Sequence, residues 1–166
     1  MNQALHPLTV SVVNDAAAVL KIDALDLLFR QSDIRALESA SEVDGSTPAQ
    51  NSVGWIAYLR QRWPVYCLSG KLDLLREVPS ARRTCALLVL EGGYIGLLCD
   101  DMNIVKQVAG QRHAVPPAMR HADTPIVELL TGDGRLLCVS NPNRMAAYIE
   151  QRVRNAALAE ELPCPT

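Results

Sequence analysis

The chain has 166 residues, of which 49% are hydrophobic and 20% are charged. This balance is typical of a globular domain and argues against disorder. A chain of this length can bury a sizeable core without disulfides or metals. The net charge of -2 and the lack of a Lys/Arg-rich block argue against a nucleic-acid partner.

No uncharged apolar run is long enough for a membrane helix, so we expect no direct membrane insertion. Residues 1–7 lack the charged and apolar segments of a signal peptide, which predicts a cytoplasmic location. The cysteine count is odd and no Cys-x-x-Cys occurs, so buried free thiols in a reducing compartment are expected. The five cysteines are Cys67, Cys85, Cys99, Cys138 and Cys164.

The first third of the chain predicts one hairpin. Residues 1–15 are weakly patterned, and either a short strand or a loosely attached arm fits them. Residues 19–30 show two alternating runs around the Asp23-Ala24 turn, which favours a hairpin over the competing helix. Residues 31–42 have the composition of a short capped helix. Residues 43–52 cluster Gly, Pro, Ser and Asn, which indicates a loop.

The central part of the chain predicts a second hairpin. Residues 53–68 alternate in hydrophobicity and are rich in β-branched and aromatic residues, with a turn near Gln61. Pro64 cannot donate a ladder hydrogen bond, so we expect it at a strand start or at a sheet edge. Residues 69–76 are compatible with a short helix.

Two more hairpins follow. Residues 83–99 form the clearest one, with Gly92-Gly93 supplying the positive φ values that a two-residue turn needs. Beyond it, residues 104–108 predict one strand. Residues 126–139 predict a further hairpin, turned by residues 132–134.

The last element is predicted to be an amphipathic helix. Asn141 is suited to the N-cap and Pro142 to the first helical position. Apolar residues recur at helical spacing up to about Leu162, and Glu150 and Arg154 are spaced to pair across one turn. Short strands with Gly-rich turns and no βαβ alternation predict a mainly β fold, as a small barrel or sandwich.

No motif in the chain points to catalysis. Asp100-Asp101 could hold a metal or serve acid–base chemistry, but consecutive strand residues face opposite ways, which favours a simple turn. His113 and His121 have no Cys or carboxylate at metal-ligand spacing. No serine or cysteine lies in a nucleophile motif. We therefore expect no enzymatic activity, no cofactor and no bound metal.

Aromatic and arginine residues concentrate in the central hairpin. Trp55, Trp63 and Tyr66 either fill the core or form a docking surface, because Trp, Tyr and Arg are the usual interface anchors. Arg60 and Arg62 lie in the same hairpin. The candidate protein-binding residues are Tyr58, Arg60, Arg62 and Trp63.

Ordered blocks of the chain resemble the CheW family of chemotaxis coupling proteins. The blocks are VGWIAYLRQRWPVYCLSGKLDLL at 53–75, LLVLEGGYIGLLCDDM at 87–102 and GDGRLL at 132–137. VLKIDALDLLFRQSDIRAL at 19–37 is similar to the opening strands, so the resemblance covers about 19–149. The chain departs from the family pattern at Gln61, where the family has Gly, at Cys67, where it has an acidic residue, and in VSNPNRMAAYI.

The resemblance implies a fold of two small five-stranded β-barrel subdomains around a shared core, with a C-terminal α-helix. The domain would span 16–160, between an N-terminal arm at 1–15 and a flexible tail at 161–166. The implied function is a non-catalytic adaptor between a histidine kinase regulatory domain and a methyl-accepting chemoreceptor-type sensor. Arg60 matches the family's Leu-Arg arginine, which is associated with this coupling.

Two further expectations concern ligands and self-association. The alternative function is a small-molecule-sensing or regulatory β-domain with a pocket between its barrels. An unpaired strand edge or the C-terminal helix would allow a homodimer.

Overall fold

The computed structural model describes residues 11–13 and 16–161. The expected arm at 1–15 therefore lies outside the described residues except for 11–13, and the expected tail at 161–166 lies outside them except for its first residue. Cys164 is also outside them. The described elements are β1 (Ser11–Val13), β2 (Ala17–Ile22), β3 (Leu25–Arg30), β4 (Ile34–Ser39), β5 (Gly54–Tyr58), β6 (Gln61–Leu68), β7 (Leu74–Leu75), β8 (Thr84–Leu90), β9 (Gly93–Cys99), β10 (Asp101–Val105), β11 (Val108–His113), β12 (Ile126–Gly132), β13 (Arg135–Ser140) and α1 (Pro142–Glu161).

The strands form two sheets. The first sheet has seven strands in the order β1-β11-β12-β13-β3-β2-β10. The second has six, in the order β4-β8-β9-β6-β5 with β7 paired to β6. Neighbouring strands are antiparallel except for the pairs β13/β3 and β6/β9. The predicted mainly β fold with a C-terminal helix is confirmed. The described residues form seven strands in the first sheet and six in the second, where five were expected in each subdomain.

Each sheet packs around its own hydrophobic core, and a third core lies between them. In β2, Ala17 and Val19 belong to the core of the first sheet, whereas Ala18, Leu20 and Ile22 belong to the shared core. Strands β8 and β9 divide in the same way between the second-sheet core and the shared core. Burial on both faces explains why these strands read as nearly continuous apolar runs.

Helix α1 covers the shared core. Asn141 caps it, because the Asn141 side chain accepts a hydrogen bond from the Arg144 N–H at 2.8 Å. The Tyr148 hydroxyl donates to the Leu72 carbonyl at 2.7 Å and ties the helix to the loop before β7. The helical residues buried in the shared core are Met145, Tyr148 and Ile149. The predicted helix is confirmed, and no helix among the described residues has the length and apolar character to cross a membrane.

The four predicted hairpins all form, but two of their turns shift by one or two residues. The second hairpin turns at Leu59-Arg60, and Gln61 is the first residue of β6. The third turns at residues 91–92, so Gly93 already belongs to β9 and pairs with Leu90. In both cases cross-strand pairing, rather than the most turn-like residues, determines where the turn falls.

The helix predicted at residues 31–42 is wrong. The segment forms β4, flanked by the 3-10 turns Gln31–Asp33 and Ala40–Glu42. Residues of β4 alternate between half-buried and exposed, and the strand pairs antiparallel with β8. The alternation is hard to read from IRALES, because Ala and Leu fall on opposite faces and Glu lies on the inward one.

Two further predictions differ from the structure. Residues 69–76 form a turn, held by the Ser69 side chain, and the short strand β7 rather than a helix. Residues 104–108 do not form one strand, because β10 ends at Val105 and β11 begins at Val108. Pro64 is not at a strand start, because it is the fourth residue of β6 and pairs with Trp55 of β5. It lies one residue before the part of β6 that pairs with β9, so its missing N–H breaks no bond to that strand.

The four described cysteines are free and buried, as predicted. Cys67 and Cys85 lie in the second-sheet core, and Cys99 and Cys138 lie in the shared core. Burial raises the pKa of Cys67 and Cys138, and it raises the pKa of Cys85 and Cys99 to about 12. Because a thiolate is the reactive form, these thiols act as small apolar side chains.

Candidate protein-binding site

The turn between β5 and β6 presents two of its residues to solvent. Tyr58 ends β5, and Leu59 and Arg60 form the turn. Both turn residues have left-handed backbones, with φ of 51° at Leu59 and 62° at Arg60. Leu59 is 62% exposed. Arg60 is exposed and forms no ion pair with any described residue.

Three aromatic rings support this turn on the face of the second sheet that lines the second-sheet core. The Tyr94 ring lies 5.5 Å from the ring of Tyr58 and 5.1 Å from that of Trp63, with interplanar angles of 86° and 84°. The Trp63 indole N–H donates to the Tyr58 carbonyl at 3.1 Å. Edge-to-face packing and this hydrogen bond fix the end of the hairpin. Leu59, Trp63 and Tyr94 line an open hollow beside the turn.

Arg62 lies apart from the other three candidates. It precedes Trp63 in β6, so its side chain leaves the opposite face of the strand. Its guanidinium forms an ion pair with Asp44 at 3.1 Å and stacks over the Trp55 ring at 5.3 Å. Hydrogen bonds from Ser46 lower the pKa of Asp44, and the Arg62 charge lowers it further. The structure therefore brings Tyr58 and Trp63 together, leaves Arg60 exposed in the adjoining turn, and places Arg62 on the outer face of the same hairpin.

The large rings of the hairpin are all half-buried. Trp63 packs against the second-sheet core and Tyr66 against the shared core. The Trp55 indole donates to the Thr47 carbonyl at 2.6 Å. Each ring thus contributes to packing or loop structure while keeping an exposed edge. The role of the four candidates in protein binding remains a prediction.

Sequence reasoning missed a buried arginine where the two sheets meet. The Arg82 side chain is fully buried and donates to the Leu68 carbonyl at 2.8 Å and to Asp23 at 2.9 Å. It also forms an ion pair with Asp100. Asp100 accepts a further hydrogen bond from the Asp23 N–H at 2.8 Å, and Asp23 accepts one from the Gly70 N–H at 2.8 Å.

The charges of this cluster stabilise each other. The hydrogen bond from Arg82 lowers the pKa of Asp23 below its ordinary value, and the Gly70 N–H adds to the effect. Burial disfavours the charged form of Arg82, but its hydrogen bonds to Asp23 and Asp100 outweigh that cost and raise its pKa. Asp100 therefore has a structural role, because it accepts the hydrogen bond from the Asp23 N–H in the Asp23-Ala24 turn. That turn was the one sign of this role in the sequence.

The remaining polar candidates serve local structure. Asp101 accepts a hydrogen bond from the Met102 N–H at 2.8 Å. His113 shares a hydrogen bond with Thr131 at 2.8 Å, and His121 is exposed on a different segment. Among residues 16–161, no group of three His, Cys, Asp or Glu side chains lies close enough to hold a metal ion.

Two sheets with separate cores, joined through a shared core and covered by one C-terminal helix, define a CheW-like fold. The chain is similar in structure to the scaffolding protein TtCheW from Thermoanaerobacter tengcongensis, with a TM-score of 0.59 and 13% sequence identity. The alignment covers 77% of this chain and 89% of that one. No protein-family model matches the chain, and no curated protein matches its sequence. Structural similarity at 13% sequence identity shows the fold alone.

Proposed function

We propose that this chain is a non-catalytic adaptor that couples a chemotaxis-type histidine kinase to a chemoreceptor or related sensor. The CheW-like fold, which it has in common with a scaffolding protein, supports this function. The three sequence blocks that resemble the family support it as well. In this function the protein works in the cytoplasm, needs no cofactor and binds the regulatory domain of the kinase and a methyl-accepting sensor on separate surfaces.

The strained Leu59-Arg60 turn is the observation that carries this proposal. A two-residue turn with both φ values positive normally holds Asn-Gly or Asp-Gly. Leu and Arg in the left-handed region cost about 1–2 kcal/mol each. The chain accepts this cost and exposes an apolar residue next to an arginine with no carboxylate partner among the described residues. Strain of this kind is found at functional sites, where it presents a side chain for binding.

The rigid aromatic support makes the turn suitable for docking. Trp63 packs edge-to-face on Tyr94 and donates a hydrogen bond to the Tyr58 carbonyl, so the backbone at the hairpin end loses little freedom on binding. An apolar contact at Leu59 with a charged contact at Arg60 gives both affinity and orientation. Arg62 and Trp55 extend the surface around the side of the hairpin.

The test is a calorimetric titration of this protein with the purified regulatory domains of the histidine kinases of its source organism. We expect saturable binding to one of them, weakened about tenfold or more by Arg60→Glu. Arg83→Glu is the matched control, because Arg83 is exposed and immediately precedes β8, on the side of that strand away from the turn. A folded Arg60→Glu protein with unchanged affinity would exclude this turn from the interface, and no binding to any kinase domain would reject the adaptor function.

A small-molecule-sensing domain is the second candidate, and one cavity favours it. The space between the sheets, where a pocket was expected, is filled by the shared core. A mainly apolar cavity of about 260 Å³ lies instead at one end of the first sheet, next to Leu28, Val108 and Leu130. A metabolite panel in a thermal-shift assay separates the two functions, because a ligand that binds only the folded state raises the Tm.

A further inference from the structure

A second surface, on the first sheet, is lined by basic side chains. It is an open groove of about 420 Å³ between the segment that joins β11 to β12 and the first turn of α1. Arg120 and His121 line one side and Arg144 the other. Val115 and Ile126, both buried, form part of the floor. No Asp or Glu among the described residues lines the groove.

The two arginines of this groove differ from most arginines of the chain. Among residues 16–161, seven arginines form ion pairs with carboxylates, namely Arg30, Arg62, Arg76, Arg82, Arg112, Arg135 and Arg154. Arg120 and Arg144 form none with any described residue. In a chain with a net charge of -2, two arginines without a carboxylate partner along one groove leave a local positive potential that favours an anionic partner.

Two features of the groove favour binding. The Arg120 Nε–H donates to the Val115 carbonyl at 2.6 Å, which fixes the side chain and leaves the rest of its guanidinium free to bind a carboxylate. An apolar side chain lies beside the charges, since Val127 lines the groove and is 38% exposed. A partner can therefore bury apolar atoms and pair its charges at the same site.

We propose that this groove binds an acidic segment of a partner protein in which apolar residues alternate with Asp or Glu. The basic rim complements the carboxylates, and the apolar floor and Val127 accept the side chains between them. A free oxyanion would use the charges but would leave the apolar surface uncovered. The groove lies on the first sheet and the Leu59-Arg60 turn on the second, so this site is independent of the adaptor proposal.

The probe is a fluorescein-labelled peptide of Asp, Glu and Leu, measured by fluorescence anisotropy with the full chain. We expect saturable binding that weakens as salt is added, because the contacts are largely ionic. The double substitution Arg120→Glu with Arg144→Glu should weaken binding about tenfold or more. The control is Arg83→Glu with Lys106→Glu, which changes the net charge equally at two exposed positions outside the groove and should leave binding nearly unchanged.

The design separates loss of binding from loss of folding. Arg144→Glu alone keeps the Arg120–Val115 hydrogen bond and places a favourable charge in the first turn of α1, which has no acidic residue, so it should weaken binding while keeping or raising the Tm. Three outcomes would overturn the proposal: no binding of the peptide, equal loss of binding in the control variant, or full displacement of the peptide by inorganic phosphate at matched ionic strength. The last result would assign the groove to a small oxyanion.

Discussion

Arg82 and Asp100 form an ion pair in which the arginine side chain has no contact with solvent. Asp100 lies where the chain passes from β9 in the second sheet to β10 in the first, and its N–H donates to the Lys21 carbonyl at 2.8 Å. Asp23, in the turn between β2 and β3, completes the cluster. The pair therefore joins the two sheets at the edge of the shared core.

Removing the arginine should destabilise the fold strongly. Arg82→Met leaves the Asp100 and Asp23 carboxylates without a cation and the Leu68 carbonyl without its donor. The Asp23 side chain is half exposed and that of Asp100 is mostly buried, so the main cost comes from acceptors left without a donor, and we expect a loss of about 1–3 kcal/mol in urea unfolding. Arg83→Met, at the exposed neighbouring position, should change stability by less than about 0.5 kcal/mol. Equal effects of the two variants would contradict a structural role for the cluster.

Stability should fall in acid partly through Asp23. Its pKa is lower in the folded protein than its ordinary value of 3.8, chiefly because Arg82 donates a hydrogen bond to it. The resulting stability is fully present above 3.8 and is lost as the pH falls through 3.8 and then through the lower folded-state pKa. Asp23→Asn should flatten the dependence of the unfolding free energy on pH in that window.

The acid experiment has a matched control in Glu91→Gln. Glu91 is exposed in the turn between β8 and β9. Its substitution removes one exposed carboxylate without touching the Arg82 cluster. Asp44 also has a lowered pKa, so part of the acid sensitivity should persist in the Asp23→Asn variant. An unchanged pH profile for Asp23→Asn would show that the Arg82 hydrogen bond does not favour the ionised carboxyl in solution.

Replacing Leu59-Arg60 by Asn-Gly should stabilise the protein and weaken partner binding. Asn and Gly adopt the two left-handed conformations at little cost, so we expect a gain in unfolding free energy of about 1 kcal/mol. The control is Asp133→Asn in the turn between β12 and β13, where Asp133 and Gly134 already have φ of 50° and 70°. Asp133→Asn should change stability little. A stability loss in the Asn-Gly variant would refute the strain argument.

Gly93→Ala should disturb the aromatic support of the candidate site. A Cβ atom at Gly93 would lie 2.5 Å from the Trp63 ring, so the ring must move. Overpacking of this kind costs about 1–3 kcal/mol, and near-ultraviolet circular dichroism should report the displaced indole. Gly45→Ala, whose Cβ would lie 3.4 Å from the Val53 carbonyl, is the tolerated control. Trp63→Phe combined with Gly93→Ala should recover part of the loss, because the smaller ring leaves room.

Local patterns in the sequence were sufficient for the hairpins and for the helix. The turns at Asp23-Ala24 and Asp133-Gly134 follow from residues that accept left-handed backbones. The start of α1 follows from an Asn-Pro pair whose Asn caps the helix. In each case the deciding interactions lie within a few residues, so the sequence alone was enough.

Elements whose partners are remote were decided by the tertiary structure. IRALES becomes β4 only because β8 supplies its hydrogen-bond partners, and β7 forms only against β6. At the candidate site, strand alternation separates Arg62 from Tyr58 and Trp63, although all three are close in sequence.

The sequence by itself determined that this protein is a mainly β domain with one closing helix, because alternation, turn residues and a helix cap act over short distances. Only the tertiary structure decided that Arg82 is buried, because its partners come from three separate parts of the chain. Asp23 and Asp100 are 77 residues apart. No local pattern reveals that two carboxylates so distant in sequence surround one guanidinium, and together they offset the cost of burying its charge.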